Sequence, residues 1–258
     1  MARDLKHFLI CYICDGLIAV ARISALVLLA ERFDGIGQWS KYQVLFMIGY
    51  GGVVRGLLDT FFGYNLLCIS RRLGRGQLDH VLAQPQPLWL TFLTDGFMPF
   101  SGACNILPGL VLLVWSIQHL ALPATPLWYL LLLINMAASG TIVLAFCYLW
   151  GSLAFWAPRA AEEISSLALT MIDELKNFTL GGLGSAALAG LMTFVPVAFV
   201  AWYPSQSLLG LSHSPWGSFI TPAAALVFLV IAAGAFLKGM KHYGATGSQR
   251  YSNYGHRS

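Results

Sequence analysis

Six apolar stretches decide what this chain can become. They run from about Phe8 to Ala30, Gln43 to Ile69, Gly96 to Ile117, Pro126 to Trp156, Leu183 to Tyr203 and Phe219 to Leu237, and none carries more than two charged residues. About 20 mostly apolar residues in a helix cross the roughly 30 Å of bilayer hydrocarbon. Backbone in lipid must satisfy its own hydrogen bonds, and a helix does so within one segment. The expected fold is therefore all-α: one membrane domain over residues 1–258, a bundle of six transmembrane helices with short amphipathic helices at its surface. Composition agrees, since hydrophobic residues make up 57% and charged residues only 10% of the 258, against about 25% charged in soluble domains. Disorder, a nucleic-acid-binding domain and most soluble enzymes are excluded on that ground. The basic start of the first stretch resembles a leader, but Asp15 and Arg22 interrupt its core and five further stretches follow, so a retained helix is expected.

Loop charge sets the expected orientation. Eleven lysines and arginines fall in the segments before the first span, after the second and fourth, and in the tail 238–258, while only Arg32 and Lys41 fall in the alternate loops. Both termini are expected in the cytoplasm, and the protein in the inner (cytoplasmic) membrane. Two loops on that side have the pattern of folded elements. In the first, Gln77 to Gln84 form two helical turns ended by Pro85 and Pro87, with Leu78, Val81 and Leu82 on one face. Asp79 lies near the start of this short helix, where a carboxylate is stabilised by free amides. The second loop carries an apolar stripe of Ile164, Leu167, Ala168, Met171, Ile172 and Leu175, with Glu162, Glu163, Asp173, Glu174 and Lys176 opposite. This reads as an amphipathic helix lying at the membrane surface.

Within the second span, Arg55 and Asp59 stand at i and i+4, the spacing at which an ion pair forms on one helical face. Charges at membrane depth turn inward and pair. Gly49, Gly52, Gly56 and Gly63 make a small-residue stripe containing one GxxxG, a surface that another helix can approach closely. The five cysteines form no disulfide framework. His7, Cys11 and Cys14 could share a helical face, but one CxxC falls short of the four ligands of a structural zinc site, and no metal is expected. No phosphate-binding GK[ST] loop, HExxH or GxSxG is present. Asp15-Gly16 with Ala21-Arg22 approaches the DGxxAR signature of membrane enzymes acting on CDP-linked lipids, but the spacing is two residues too long and the later aspartates are missing.

Several motifs together carry a resemblance. Gly76-Gln77-Leu78-Asp79-His80-Val81-Leu82-Ala83-Gln84-Pro85 resembles the G-x-L-D-x-x-L-x-x-P segment of type-2 ATP-binding-cassette (ABC-2) exporter permeases, specifically their six-span family. Gly37-Gln38-Trp39-Ser40 resembles that family's GWS stretch, and Phe155-Trp156 the FW that closes its fourth span. Pro196-Val197-Ala198-Phe199, Tyr203-Pro204 and Leu208-Leu209-Gly210 resemble its fifth span and outer loop. Lys238-Gly239-Met240-Lys241-His242-Tyr243 with Thr246-Gly247-Ser248 resembles its tail. The chain departs from the pattern at Gln84, where arginine is frequent, and at Phe178-Thr179, where Tyr-Pro is frequent.

The resemblance implies a permease without catalytic residues, needing no cofactor of its own. ATP and magnesium would sit on separate ABC ATPase subunits, and a second permease, homologous or identical, would complete the pathway beside membrane lipids. It further implies that Gly76, Leu78, Asp79, Val81, Leu82 and Pro85 belong to the coupling helix that receives the ATPase stroke, and that transport is export. Two other classes compete. An ion-driven secondary transporter would use Asp15 or Asp59, but no inverted repeat is evident. A membrane-embedded lipid-modifying enzyme would need His, Asp or Cys clustered at one depth, and the histidines lie at ends and loops.

Overall fold

The computed structural model describes residues 5–63, 85–86, 97, 102–123, 125–212, 214 and 216–246. Helix α1 spans Leu5–Arg32 and is followed by a two-stranded hairpin, β1 (Gly35–Ile36) and β2 (Trp39–Ser40), then α2 (Lys41–Phe62), α3 (Ala103–His119) and α4 (Pro126–Gly151). A 3-10 turn, Ser152–Phe155, extends α4 before α5 (Pro158–Leu175). Then come α6 (Ser185–Thr193), a 3-10 turn at Val197–Phe199, α7 (Trp202–Leu208) and α8 (Gly217–Thr246).

The hairpin shows why the Gly-x-Trp-Ser stretch is built as it is. Ile36 pairs with Trp39 across the turn, and Gly37 at φ 64° supplies its left-handed residue. Trp39 is buried, and the Ser40 N–H donates to Gln43 Oε1 at 2.9 Å, closing the first turn of α2. Helix α4 starts in the same economical way. Thr125 Oγ1 accepts from the Trp128 N–H at 3.3 Å and Pro126 occupies the first helical position.

Four helices among the described residues are long and apolar enough to cross a membrane: Tyr12–Arg32, Lys41–Phe62, Pro126–Phe155 and Gly217–Ala245. Where a third span over Gly96 to Ile117 was expected, the described helix is Ala103–His119, 17 residues or about 26 Å. The stretch expected as one continuous fifth span is instead two helical pieces, Ser185–Thr193 and Val197–Leu208, bent by 76°. Pro196 cannot donate to the ladder and its ring excludes the helical path, so the chain turns there rather than kinking slightly.

The core is made by α2, which lies along α3 and crosses α4, and by α4, which runs parallel to α8. The parallel register follows from Asn135 meeting Ser218, Tyr148 meeting Phe236 and Phe155 meeting Tyr243. On α8, Gly217, Thr221, Ala225, Ala232, Gly239 and Tyr243 are buried, a seam of mainly small residues that brings the helices close. Leu226, Val227, Val230 and Leu237 face outward. On α4 the inward stripe contains Trp128, Asn135 and Ser139, and the outward one Leu127, Leu130 and Leu133. Polar groups inside and apolar ones outside is the arrangement that lipid imposes. The Phe155-Trp156 motif meets the tail directly: the Phe155 ring occupies the space that a side chain on Gly239 would need, and Trp156 stacks on His242.

Candidate functional site

Arg55 and Asp59 lie in the last two turns of α2. Arg55 Nε approaches Asp59 Oδ1 at 3.0 Å, as their spacing on the helix requires. The pair is part of a larger junction. Arg55 Nη1 lies 3.0 Å from Asp173 Oδ2 on α5, Lys176 Nζ lies 2.6 Å from Asp173 Oδ1, and Asn105 Nδ2 on α3 donates to Asp59 Oδ2 at 3.0 Å. Among the described residues two cations therefore face two carboxylates, and these four charges cancel. Side-chain exposure is 21% for Arg55, 16% for Asp59, 24% for Asp173 and 8% for Lys176. Removing charge from water at such sites is costly unless every ion is paired. Burial pulls the Lys176 ammonium below its ordinary lysine value, and the Asp173 carboxylate opposes that shift.

Sequence periodicity places Asp173 and Lys176 on the solvent face of an amphipathic helix, and the structure corrects the placement of these two residues. Helix α5 docks on the bundle through Ala161, Ser165, Ala168, Leu169 and Ile172, a face turned away from the middle of the expected stripe. Ala168 and Ile172 of that stripe are buried, while Leu167 and Met171 point outward. This rotation also brings Asp173 to its counter-charge, Arg55 of α2.

The glycine stripe on α2 faces α3. A Cβ on Gly49 would stand 2.7 Å from the Leu113 amide nitrogen and 2.8 Å from the Gly109 carbonyl oxygen, one on Gly52 3.3 Å from Gly109 Cα, and one on Gly56 2.7 Å from the Ile106 nitrogen. Gly63 stands apart from this seam, against the Asp59 carbonyl of its own helix end. Gly109 answers from α3 and Gly102 from just before it, so backbones touch across the interface without side chains between them. Thus α2 and α3 form a tightly joined antiparallel stem within the core, and residues 63–102 join the two helices along the chain. Gly76, Leu78, Asp79, Val81 and Leu82 lie outside the described residues, as do the side chains of His7, Cys11, Asp15 and Arg22; Pro85 alone of the coupling segment lies within them.

A second polar chain was not anticipated. Ser139 Oγ donates to the Phe199 carbonyl at 2.8 Å and, its proton so committed, accepts from the Tyr50 hydroxyl at 3.0 Å. Trp128 Nε1 donates to the Leu208 carbonyl at 3.0 Å, and Asn135 Nδ2 to the carbonyls of Leu131 and Ser218 at 2.9 and 3.1 Å. Ser139 and Trp128 thus supply donors to carbonyls of the broken segment, and Asn135 to the first turn of α8, which is how irregular backbone survives at membrane depth. The available signal was Asn135 and Ser139 at i and i+4 inside an otherwise apolar run.

Comparison with known proteins agrees with this architecture. A protein-family model described as ABC-2 family transporter protein matches residues 17–247. No curated protein and no solved structure matches the chain. The match spans the hairpin, the α2–α3 stem, the polar junction, the broken segment and the α4–α8 seam in order. It covers nearly the whole of a multi-pass helical membrane protein. The chain belongs to the ABC-2 family of transporter proteins, as a membrane permease component of an ABC transporter.

Proposed function

We propose that this chain is one half of the translocation pathway of an ATP-driven exporter in the cytoplasmic membrane, with six spans and both termini in the cytoplasm. Family membership over residues 17–247 carries the reading. The eleven-to-two distribution of basic residues supports the orientation. Two ABC ATPase subunits hold ATP and magnesium and drive it, and a second permease, identical or homologous, completes the pathway. The ATPase grips the segment Gly76 to Pro85, whose apolar face of Leu78, Val81 and Leu82 suits a helix-in-groove anchor. The stem supports this placement: a push on residues 63–102 reaches α2 and α3 together, because their backbones are in contact at Gly49, Gly52 and Gly56.

Co-expression with the ATPase tests the assignment. Leu82→Glu should leave the protein in the membrane but reduce copurification of the ATPase at least several-fold and abolish coupled ATP turnover. A variant that retains the ATPase and wild-type turnover would transfer the coupling role to α5.

A further inference from the structure

We propose that α5 is a detachable helix, latched to α2 by the contact between Arg55 and Asp173 and released in the transport cycle; its use in a cycle rests on the permease reading above. The latch has two halves, and each carries its own counter-charge. On α2, Arg55 holds Asp59 at 3.0 Å; at the end of α5, Lys176 holds Asp173 at 2.6 Å. Opening a buried ion pair is normally prohibitive because it strands two charges. Here the two sides separate as neutral pairs, and Asp59 keeps its hydrogen bond from Asn105 as well.

The joining contact suits release. Arg55 Nη1 comes within 3.0 Å of Asp173 Oδ2 but makes no aligned hydrogen bond. The attraction is Coulombic and tolerates displacement, unlike a directed bond. The apolar part of the docking face is also small. Ala161, Ser165 and Ala168 contribute little area, leaving Leu169, Ile172 and the partly buried Leu175 as its large side chains, and the Ser165 hydroxyl is buried there without a hydrogen-bond partner. The larger Leu167 and Met171 remain on the outer side at 67% and 45% exposure. Beyond α5 the chain passes through Gly181, Gly182 and Gly184, and a side chain on Gly182 or Gly184 would meet nothing within 4 Å. That linker can absorb a rotation of the helix. The fixed side is α2, clamped to α3 by glycine contacts.

Hydrogen–deuterium exchange on the full chain in lipid nanodiscs tests the latch. Asp173→Asn/Lys176→Gln removes the α5 half while keeping the junction neutral. Amides of residues 161–175 should then exchange about tenfold faster, with those of 44–56 unchanged, the signature of local rather than global opening. Asp173→Glu, which keeps the charge, should keep exchange slow. Unchanged exchange in the double variant would mean that apolar packing alone holds α5. Equal acceleration in α2 would mean that the network holds the bundle together. Either result overturns the latch. In the purified permease–ATPase complex, trapping with ATP and vanadate should deprotect the same segment, and equal protection with and without trapping overturns its release in the cycle. Failure of the permease reading would show differently, as absence of any ATPase from the purified complex, and exchange of the chain alone decides the latch in that case too.

Discussion

Arg55 concentrates the energetic risk at the residue scale. Among the described residues it is the only cation ion-paired to both carboxylates of the junction, whereas Lys176 pairs with Asp173 alone. Removing one member of a buried charge group costs about 3–5 kcal/mol, because its partner is left uncompensated, while replacing a whole pair by apolar groups can be neutral. Arg55→Met should therefore lower the thermal unfolding midpoint in detergent clearly, and Arg55→Met/Asp59→Leu should recover much of the loss. Additive damage in the double variant would show that the two side chains do not act as a pair. The i, i+4 relation that brings them together was visible in the sequence, because it lies within one helix. Asp173 was not, since its partner is 118 residues away and periodicity alone placed it toward solvent. Asn105 gave no signal either: an asparagine near the start of an apolar run is equally compatible with a helix end.

Elements show the same division between local and long-range information. The stripe of Gly49, Gly52 and Gly56 could be read as a close-approach surface, but nothing in the sequence said that α3 would fill it or that Gly109 would be the opposing residue. The interface predicts a sharp contrast within one chain. Gly52→Leu must push α2 away from the Gly109 backbone, 3.3 Å from where its Cβ would stand, whereas Gly234→Leu on α8 meets nothing within 4 Å. Overpacking costs about 1–3 kcal/mol, so Gly52→Leu should lower the unfolding midpoint and the yield of assembled complex while Gly234→Leu leaves both near wild type. Equal behaviour of the two variants would remove the packing role. Pro196, by contrast, was visible in the sequence, but the 76° bend beside it was not. Tolerance of proline in a membrane helix depends on donors and acceptors from neighbours, and those on α4 favour a sharp bend, because Ser139 and Trp128 satisfy the carbonyls of Phe199 and Leu208.

For the whole molecule, lipid is the solvent that makes the structure intelligible. Leu17, Val20 and Leu28 on α1, like Leu226 and Val230 on α8, are more than half exposed, an arrangement that water would not tolerate on this scale. The class of fold could be read early for this reason: apolar length and scarcity of charge are global properties that survive any error in helix boundaries. Orientation follows from a different physical cause, the retention of lysine and arginine on the cytoplasmic side during insertion. With eleven basic residues on one side of the six expected spans and two on the other, the proposed orientation puts Gln249 in the cytoplasm together with the helix that holds Asp173. A single cysteine at Gln249 in a chain whose own cysteines are replaced should resist a membrane-impermeant maleimide added to intact cells and react once the cells are opened. The same substitution at Gln38, in the hairpin turn before α2, should give the opposite pattern, because one span separates the hairpin from the N-terminal segment. Labelling of Gln249→Cys from outside would invert the topology. It would also place residues 63–102 and α5 away from any cytoplasmic ATPase, so one experiment on two positions tests the orientation and the coupling geometry together.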